Sequence, residues 1–141
     1  MEFTNTVTIH REVADVFAFL EDFENVPKWN YAIVETRKTS PGPVGMGSTY
    51  EQTRSLPKEA KEAFEVIMHV RDQKLAIRGN LGPFYGVVTY EFEQVPEGTL
   101  LINSANLEAH GLSRVLSRLG GERVRQAVSA NLERLKQILE A

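Results

Sequence analysis

Three predicted strands each carry polar side chains on one of their two faces, and there are five such residues in all. The side chains of a strand point alternately to opposite faces, so residues two apart share a face. On these strands the polar residues share their face with apolar ones such as Val88, Phe92, Leu101 and Leu107. A concave face of this composition would have apolar walls and a few groups that orient a small molecule. The five are Tyr50, Gln52 and Arg54 in 48–56, Tyr90 in 84–94 and Asn103 in 99–109.

Each candidate also has a purely structural interpretation. Tyr50 and Tyr90 could be core aromatics whose hydroxyls reach a partner or water. Arg54 could pair with a carboxylate at a strand end. Trp29 is a further candidate for the ligand-binding set, although packing at a helix–sheet junction is the simpler role for it. The sequence leaves both interpretations open for every one of these residues.

Catalysis would need an acid or base held inside the same pocket. The best inward candidates are Arg54, Tyr50 and Tyr90, and a guanidinium such as that of Arg54 can stabilise a developing enolate. The alternation pattern places no His, Asp or Glu on these inner faces. Catalytic residues are therefore left unassigned.

The histidines give no sign of a metal site. His10, His69 and His110 lack the short spacing of a ligand pair. Alternation predicts that His69 lies on the outer face of its strand, whereas His110 follows the last strand and could line an entrance. The chain has no cysteine, which excludes disulfides and thiolate metal sites. We predict neither a metal nor another cofactor.

Composition narrows the class of protein. The chain has 141 residues, of which 42% are hydrophobic, enough for one domain spanning 1–141 with a real core. Its formal net charge of −3 argues against a partner with a phosphate backbone, so no nucleic acid is expected. No apolar run approaches the length of a membrane span, and the N-terminus lacks the pattern of a signal peptide. A cytoplasmic location is the expectation.

Periodicity predicts a strand, a helix, six further strands and a closing helix. Apolar residues at helical spacing indicate a helix over 12–23. The charged segment 57–62 is interpreted as a hairpin connection. Short turns join the strands, so neighbours should be antiparallel. The predicted strands are 2–10, 31–39, 48–56, 63–71, 74–79, 84–94 and 99–109.

Two adjacent glycines divide the C-terminal helical pattern. The apolar stripe that includes Leu112 and Leu119 is rotated from the stripe that includes Leu135 and Leu139 by about 120°. Each glycine costs about 1 kcal/mol inside a helix. The sequence therefore predicts a break, kink or π-bulge at Gly120-Gly121, between a short element at 111–119 and the main helix at 122–140.

Six short motifs follow one another along nearly the whole chain. They are Asp-Val-Phe-Ala-Phe-Leu at 15–20, Asn25 with Lys28-Trp29, Gly45-Met46-Gly47, Tyr90-Glu91-Phe92, Gly98-Thr99 and Asn-Leu-Glu-Arg-Leu-Lys at 131–136. In their order and separation they resemble the START-like (SRPBCC) superfamily, which includes Bet v 1-type proteins, and its polyketide cyclase/dehydrase branch. The resemblance implies an α+β helix-grip fold. In that fold a curved seven-stranded antiparallel sheet surrounds a long C-terminal helix, with short helices between strands 1 and 2.

Three functions stay open. The leading hypothesis is a protein that binds a small hydrophobic molecule, lipids included, in a cavity between the sheet and the C-terminal helix. The resemblance also implies a polyketide cyclase or dehydratase acting on an aromatic or poly-keto substrate. The third hypothesis is a protein-interaction module, and a homodimer is one assembly to test. Fold alone does not decide among them.

Overall fold

The computed structural model describes residues 1–109 and 113–141, together with their side chains except those of 113–119. His110 and Leu112 therefore lie outside the described residues. A single 3₁₀ turn, Phe23–Asn25, separates the first two helices. The strands are β1 (Glu2–Ile9), β2 (Ile33–Lys38), β3 (Thr49–Arg54), β4 (Ala60–Val70), β5 (Lys74–Leu81), β6 (Phe84–Val95) and β7 (Gly98–Ala109), and the helices are α1 (Val13–Glu21), α2 (Val26–Trp29) and α3 (Ser113–Glu140).

The seven strands form one antiparallel sheet in the order β1-β7-β6-β5-β4-β3-β2. The order follows from short connections, which make each strand from β2 to β7 pair with the next along the chain. α1 and α2 connect the two edge strands, β1 and β2. The predicted strand number, direction and order of elements are confirmed.

One face of the sheet packs on the C-terminal half of α3. Leu132, Leu135 and Leu139 are buried in the same core as the inward residues Leu101 and Phe92. The helix therefore lies against the face that carries the predicted inner residues, as expected for a sheet that grips a helix. Within the described ranges, no helix is long and apolar enough to cross a membrane.

Two facing glycines lie in the central strands. Gly79 of β5 is the register partner of Gly86 of β6. A Cβ at Gly86 would lie 2.1 Å from the carbonyl oxygen of Asn106, and one at Gly79 would lie 2.3 Å from that of Ala63. The neighbouring backbones come this close only because both side chains are absent. The glycine pair thus permits a close approach of four strands near one end of the sheet.

The break or π-bulge predicted at Gly120-Gly121 is wrong, because α3 is α-helical throughout Ser113–Glu140. The alternative of a kink stays a prediction. About 2 kcal/mol of lost propensity is less than the cost of the backbone hydrogen bonds that a break would leave unmade. Gly121 also lets the helix approach the N-terminus, since a Cβ there would lie 3.3 Å from the sulfur of Met1. Met1 is itself held by two hydrogen bonds to the backbone of Leu107.

Two predictions about β4 are also wrong. The strand begins at Ala60, so Glu62 belongs to it and not to a hairpin connection. A β-bulge between Val66 and Met68 then inserts one residue, which reverses the alternation beyond it. His69 consequently lies on the inner face, where it is only partly exposed, and not on the outer face as alternation predicted.

Candidate functional site

A row of three polar side chains crosses the inner face of the sheet from β6 to β1. Tyr90 is the register partner of Asn103, and Asn103 is the partner of Asn5. Asn5 continues the row to α3, because its Nδ2 donates to the carbonyl oxygen of Arg125 at 3.1 Å and its Oδ1 accepts from Nη1 of Arg125 at 3.2 Å. Alternation along the strands predicted that Tyr90 and Asn103 share a face with each other's apolar neighbours, and this is confirmed. The sequence analysis did not identify Asn5 or Arg125 as part of the group.

Asn103 has a buried oxygen without a partner. The residue is 1% exposed. Its Nδ2 donates to the carbonyl oxygen of Thr89 at 3.3 Å, but among the described residues no donor reaches its Oδ1. A buried acceptor without a hydrogen bond costs about 1–3 kcal/mol. Such a group in a folded protein calls for an explanation, and a bound ligand is one.

Tyr90 is both accessible and strongly desolvated. The residue keeps some accessible surface and packs against the hydrophobic core. Burial nevertheless raises the pKa of the Tyr90 phenol well above its ordinary value, and no charged group contributes to the shift. Its ring meets Trp29 edge to face, with centroids 6.4 Å apart, and Trp29 is 5% exposed. The phenol is therefore a neutral group with protein on most sides.

The polar row separates two apolar rows that differ in burial. On one side lies the row of Phe92, Leu101 and Val7, which are all buried. On the other side Val88 and Phe3 flank Ala105, and both are only half-buried although they face inward. Helix α3 shows the same change: Leu132, Leu135 and Leu139 are buried, whereas Val124 and Val128 are half-buried.

Gln52 and Arg54 belong to a second polar group, centred on Glu62. Nη2 of Arg54 lies 2.8 Å from Oε1 of Glu62, and Nε of Arg54 lies 3.0 Å from the same oxygen. Nε2 of Gln52 donates to Oε1 at 2.7 Å, and the amide nitrogen of Gly82 donates to Oε2 at 2.7 Å. Oε1 of Gln52 accepts from the hydroxyl of Thr36 at 3.3 Å. The group ties β2, β3 and β4 to the β5–β6 hairpin.

Glu62 is the partner that the sequence analysis missed. Its side chain is 3% exposed. The sequence did contain evidence for it. Glu62 is two residues before Phe64 and four before Val66, so it shares the inner face on which the alternation pattern places both. Extending the alternation backward through 57–62 would have found a carboxylate beside Arg54.

Tyr50 lies within the packed core. Its ring stacks on Phe64 with centroids 5.1 Å apart, and it meets Phe23 edge to face at 5.2 Å. Burial raises the pKa of Tyr50 to about 12, and the nearby carboxylates of Asp22, Glu24 and then Glu21 contribute in the same direction. Among the six predicted ligand-binding residues, Tyr90, Asn103 and Trp29 thus lie at or beside the polar row, Gln52 and Arg54 join Glu62, and Tyr50 packs in the core.

His69 forms a third inward polar contact. Its Nε2 lies 3.1 Å from Oε1 of Glu21 on α1, and its ring packs edge to face on Phe17 at 5.5 Å. The contact fastens α1 to β4. Across residues 1–109 and 113–141, no three His, Cys, Asp or Glu side chains come together as a metal site.

Comparison with known proteins identifies the family. A family model described as polyketide cyclase / dehydrase and lipid transport matches residues 1–140. The chain belongs to this family. It is therefore a member of the SRPBCC superfamily with the helix-grip fold, which confirms the resemblance seen in the sequence. Among curated proteins, no sequence matches the chain.

Several solved structures share the fold at low sequence identity. TTHA0849 from Thermus thermophilus is 15% identical, with a TM-score of 0.80 over 97% of this chain and 95% of that one. Ara h 8.0201 is 14% identical, with a TM-score of 0.77 over 99% and 97%. The di-domain ARO/CYC StfQ from the steffimycin biosynthetic pathway is 12% identical, with a TM-score of 0.77 over 99% of this chain and 50% of StfQ.

Proposed function

We propose that the protein binds a small hydrophobic molecule in a recess between the inner face of the sheet and the N-terminal half of α3. The polar row of Tyr90, Asn103 and Asn5 would form the inner end of this recess. The half-buried residues Val88 and Phe3 would form part of its floor.

The change in burial across the polar row carries the proposal. β6 and β7 are central strands, with a neighbour on each side. Where α3 packs directly on them, inward residues such as Leu101 are fully buried. Val88 faces inward from the same central region, yet it keeps accessible surface. Close packing would bury such a residue, and its accessible surface therefore supports a wider gap between the helix and the sheet at this position.

Tyr90 supports the same recess. A side chain on an open surface is accessible and hydrated, and a side chain in a packed core is neither. Tyr90 is accessible, but burial still raises its pKa. That combination is typical of a concave position, where solvent reaches the side chain although protein surrounds most of it. Mostly apolar walls with one or two polar groups are the usual composition of a ligand pocket.

Binding fits the described side chains better than cyclisation does. The family description and the ARO/CYC protein StfQ make a cyclase or dehydratase the second candidate. Proton transfer needs a group whose pKa lies near the operating pH. Of the three side chains in the row only the Tyr90 phenol can titrate, and its pKa is raised. The inward side chains of His69 and Glu62 are each engaged in an ion-pair contact, with Glu21 and Arg54 respectively. The guanidinium of Arg54 is already bound to Glu62.

The test is a titration with N-phenyl-1-naphthylamine, an uncharged dye that fluoresces when it is buried. Val88→Phe places a larger side chain on the proposed floor, and we expect it to weaken binding at least about tenfold, or about 1.4 kcal/mol. Val87→Phe is the matched control, because Val87 is the adjacent half-buried valine and lines a groove on the convex face. Its dissociation constant should stay within about twofold of wild type.

Thermal unfolding of both variants checks that each is folded. Absence of binding by the wild type would refute the proposal. Equal loss of binding in the two variants would refute the assignment to the inner face.

A further inference from the structure

We infer that the recess selects an uncharged ligand that carries a hydrogen-bond donor, such as a hydroxyl group, over a matched ligand without a donor and over a carboxylate. This inference rests on the proposed function. It adds the class of ligand and the atom that recognises it, the Oδ1 of Asn103.

The orientation of the Asn103 amide is fixed by its neighbour. The carbonyl oxygen of Thr89 can only accept, so the atom 3.3 Å from it must be the Nδ2 donor. A flipped amide would place two oxygens against each other. The atom left without a described partner is therefore the acceptor, and what it lacks is a donor.

The neighbours of Asn103 in the row do not supply that donor. The amide of Asn5 is engaged at both ends by Arg125. The Tyr90 hydroxyl makes no hydrogen bond to any described residue, so it can donate to a ligand oxygen while Asn103 accepts from the ligand. Both groups are uncharged near neutral pH, since an amide does not titrate and burial raises the pKa of the Tyr90 phenol above its ordinary value. Together they match a hydroxyl group, which is both donor and acceptor.

The charges around the row disfavour an anion. Of the described cations, Arg125 is bound to Glu122 and Asn5, and Arg54 is bound to Glu62. A carboxylate placed beside Asn103 would lose its hydration, and the Oδ1 there would repel it. Burying a charge without a partner is far more costly than burying a hydroxyl that is hydrogen-bonded.

Access to the oxygen requires a small movement. Oδ1 has almost no accessible surface in this structure. Tyr90 is the neighbour in the row that keeps accessible surface, and no described residue holds its hydroxyl. A shift of its ring away from Asn103 would open the oxygen to a ligand donor. Binding of a donor ligand should therefore change the environment of Tyr90.

The experiment compares three probes on the full chain: 2-naphthol, 2-methoxynaphthalene and 2-naphthoate. The first has a donor, the second keeps the ring and oxygen without a donor, and the third is an anion. Each displaces N-phenyl-1-naphthylamine, and the wild type should prefer 2-naphthol to either of the others by about tenfold, the value of one hydrogen bond to a buried acceptor.

Asn103→Leu should reduce the preference for 2-naphthol over 2-methoxynaphthalene by about tenfold. Asn106→Leu is the matched control, since Asn106 is exposed on the convex face of the same strand, and it should keep the wild-type preference. If Asn103→Leu fails to fold, the wild-type comparison of the three probes still decides.

Equal affinity of the wild type for 2-naphthol and 2-methoxynaphthalene would overturn the inference, and so would tighter binding of 2-naphthoate. In both cases the proposed function would stand, because the dye and the probes still bind. If neither the dye nor any probe binds, the proposed function fails, and this inference fails with it.

Discussion

Replacing Arg54 by leucine removes one partner of a buried ion pair and leaves the other in place. The side chains of Arg54 and Glu62 are 14% and 3% exposed, and their closest charged atoms are 2.8 Å apart. After the change the Glu62 carboxylate keeps the hydrogen bonds from Gln52 and Gly82. It loses its only described counter-charge.

The expected loss of stability is about 4 kcal/mol, since breaking a buried pair from one side typically costs 3–5 kcal/mol. With a urea dependence of about 2 kcal/mol per molar, the unfolding midpoint should fall by about 2 M. The neighbouring strands supply a matched control, the pair of Arg37 and Glu51. Its closest charged atoms are 2.7 Å apart, but its side chains are 61% and 59% exposed. Arg37→Leu should cost less than about 1 kcal/mol.

Urea unfolding followed by circular dichroism measures both effects. A double-mutant cycle of Arg54→Leu with Glu62→Gln should give a coupling energy above about 2 kcal/mol, against less than about 0.5 kcal/mol for Arg37→Leu with Glu51→Gln. The double variant at 54 and 62 should recover part of the stability and bind N-phenyl-1-naphthylamine within about twofold of wild type. Equal costs for Arg54→Leu and Arg37→Leu would refute the argument from burial.

Two further predictions concern α3 and the pH dependence of stability. Gly120→Ala should stabilise the protein by about 1 kcal/mol in the same unfolding assay, because a Cβ there meets nothing within 4 Å and helix propensity acts alone. Gly121→Ala should stabilise it less, since the new Cβ would press on Met1. A loss of stability in Gly120→Ala would contradict the uninterrupted helix. The raised pKa of Tyr50, about 12 against an ordinary value of 10, means that the unfolded state ionises first. The contribution of Tyr50 to stability should therefore be constant below pH of about 10 and fall by about 2 kcal/mol up to pH of about 12. Tyr90, whose pKa is also raised, should add a fall in the same direction. Tyr50→Phe should remove only the Tyr50 part, whereas an unchanged slope would show that Tyr50 does not contribute.

Alternation was enough to predict which residues share the inner face of β3, β6 and β7. Those strands run without a bulge through the positions concerned, so the two-residue period holds along them. The register partners Tyr90 and Asn103 could be placed on one face from sequence, but not opposite each other. Register depends on the turns and on long-range packing, which a local pattern does not contain.

The errors have separate physical causes. Lys58 and Glu59 after Pro57 look like a turn, and this masked the start of β4 and with it Glu62. The bulge before His69 could not be predicted, because both faces of that stretch carry apolar residues and neither phase is excluded. The glycines of α3 were judged on propensity, whereas tertiary packing of a long helix outweighs about 2 kcal/mol.

Under the proposed function, the polar row separates inward residues that stabilise the fold from inward residues that would contact the ligand. The row of Phe92, Leu101 and Val7 is closely packed, so larger side chains there would be strained and smaller ones would leave cavities. Beyond Asn103 the inward residues Ala105 and Leu107 are still buried, but Val88 and Phe3 are only half-buried. The size of the side chains at positions 88 and 3 should therefore affect the ligand more than the fold. Asn103 lies at the boundary and lowers stability through its unpartnered oxygen. Asn103→Leu should for that reason bind donor ligands less well and yet unfold at a higher temperature than wild type.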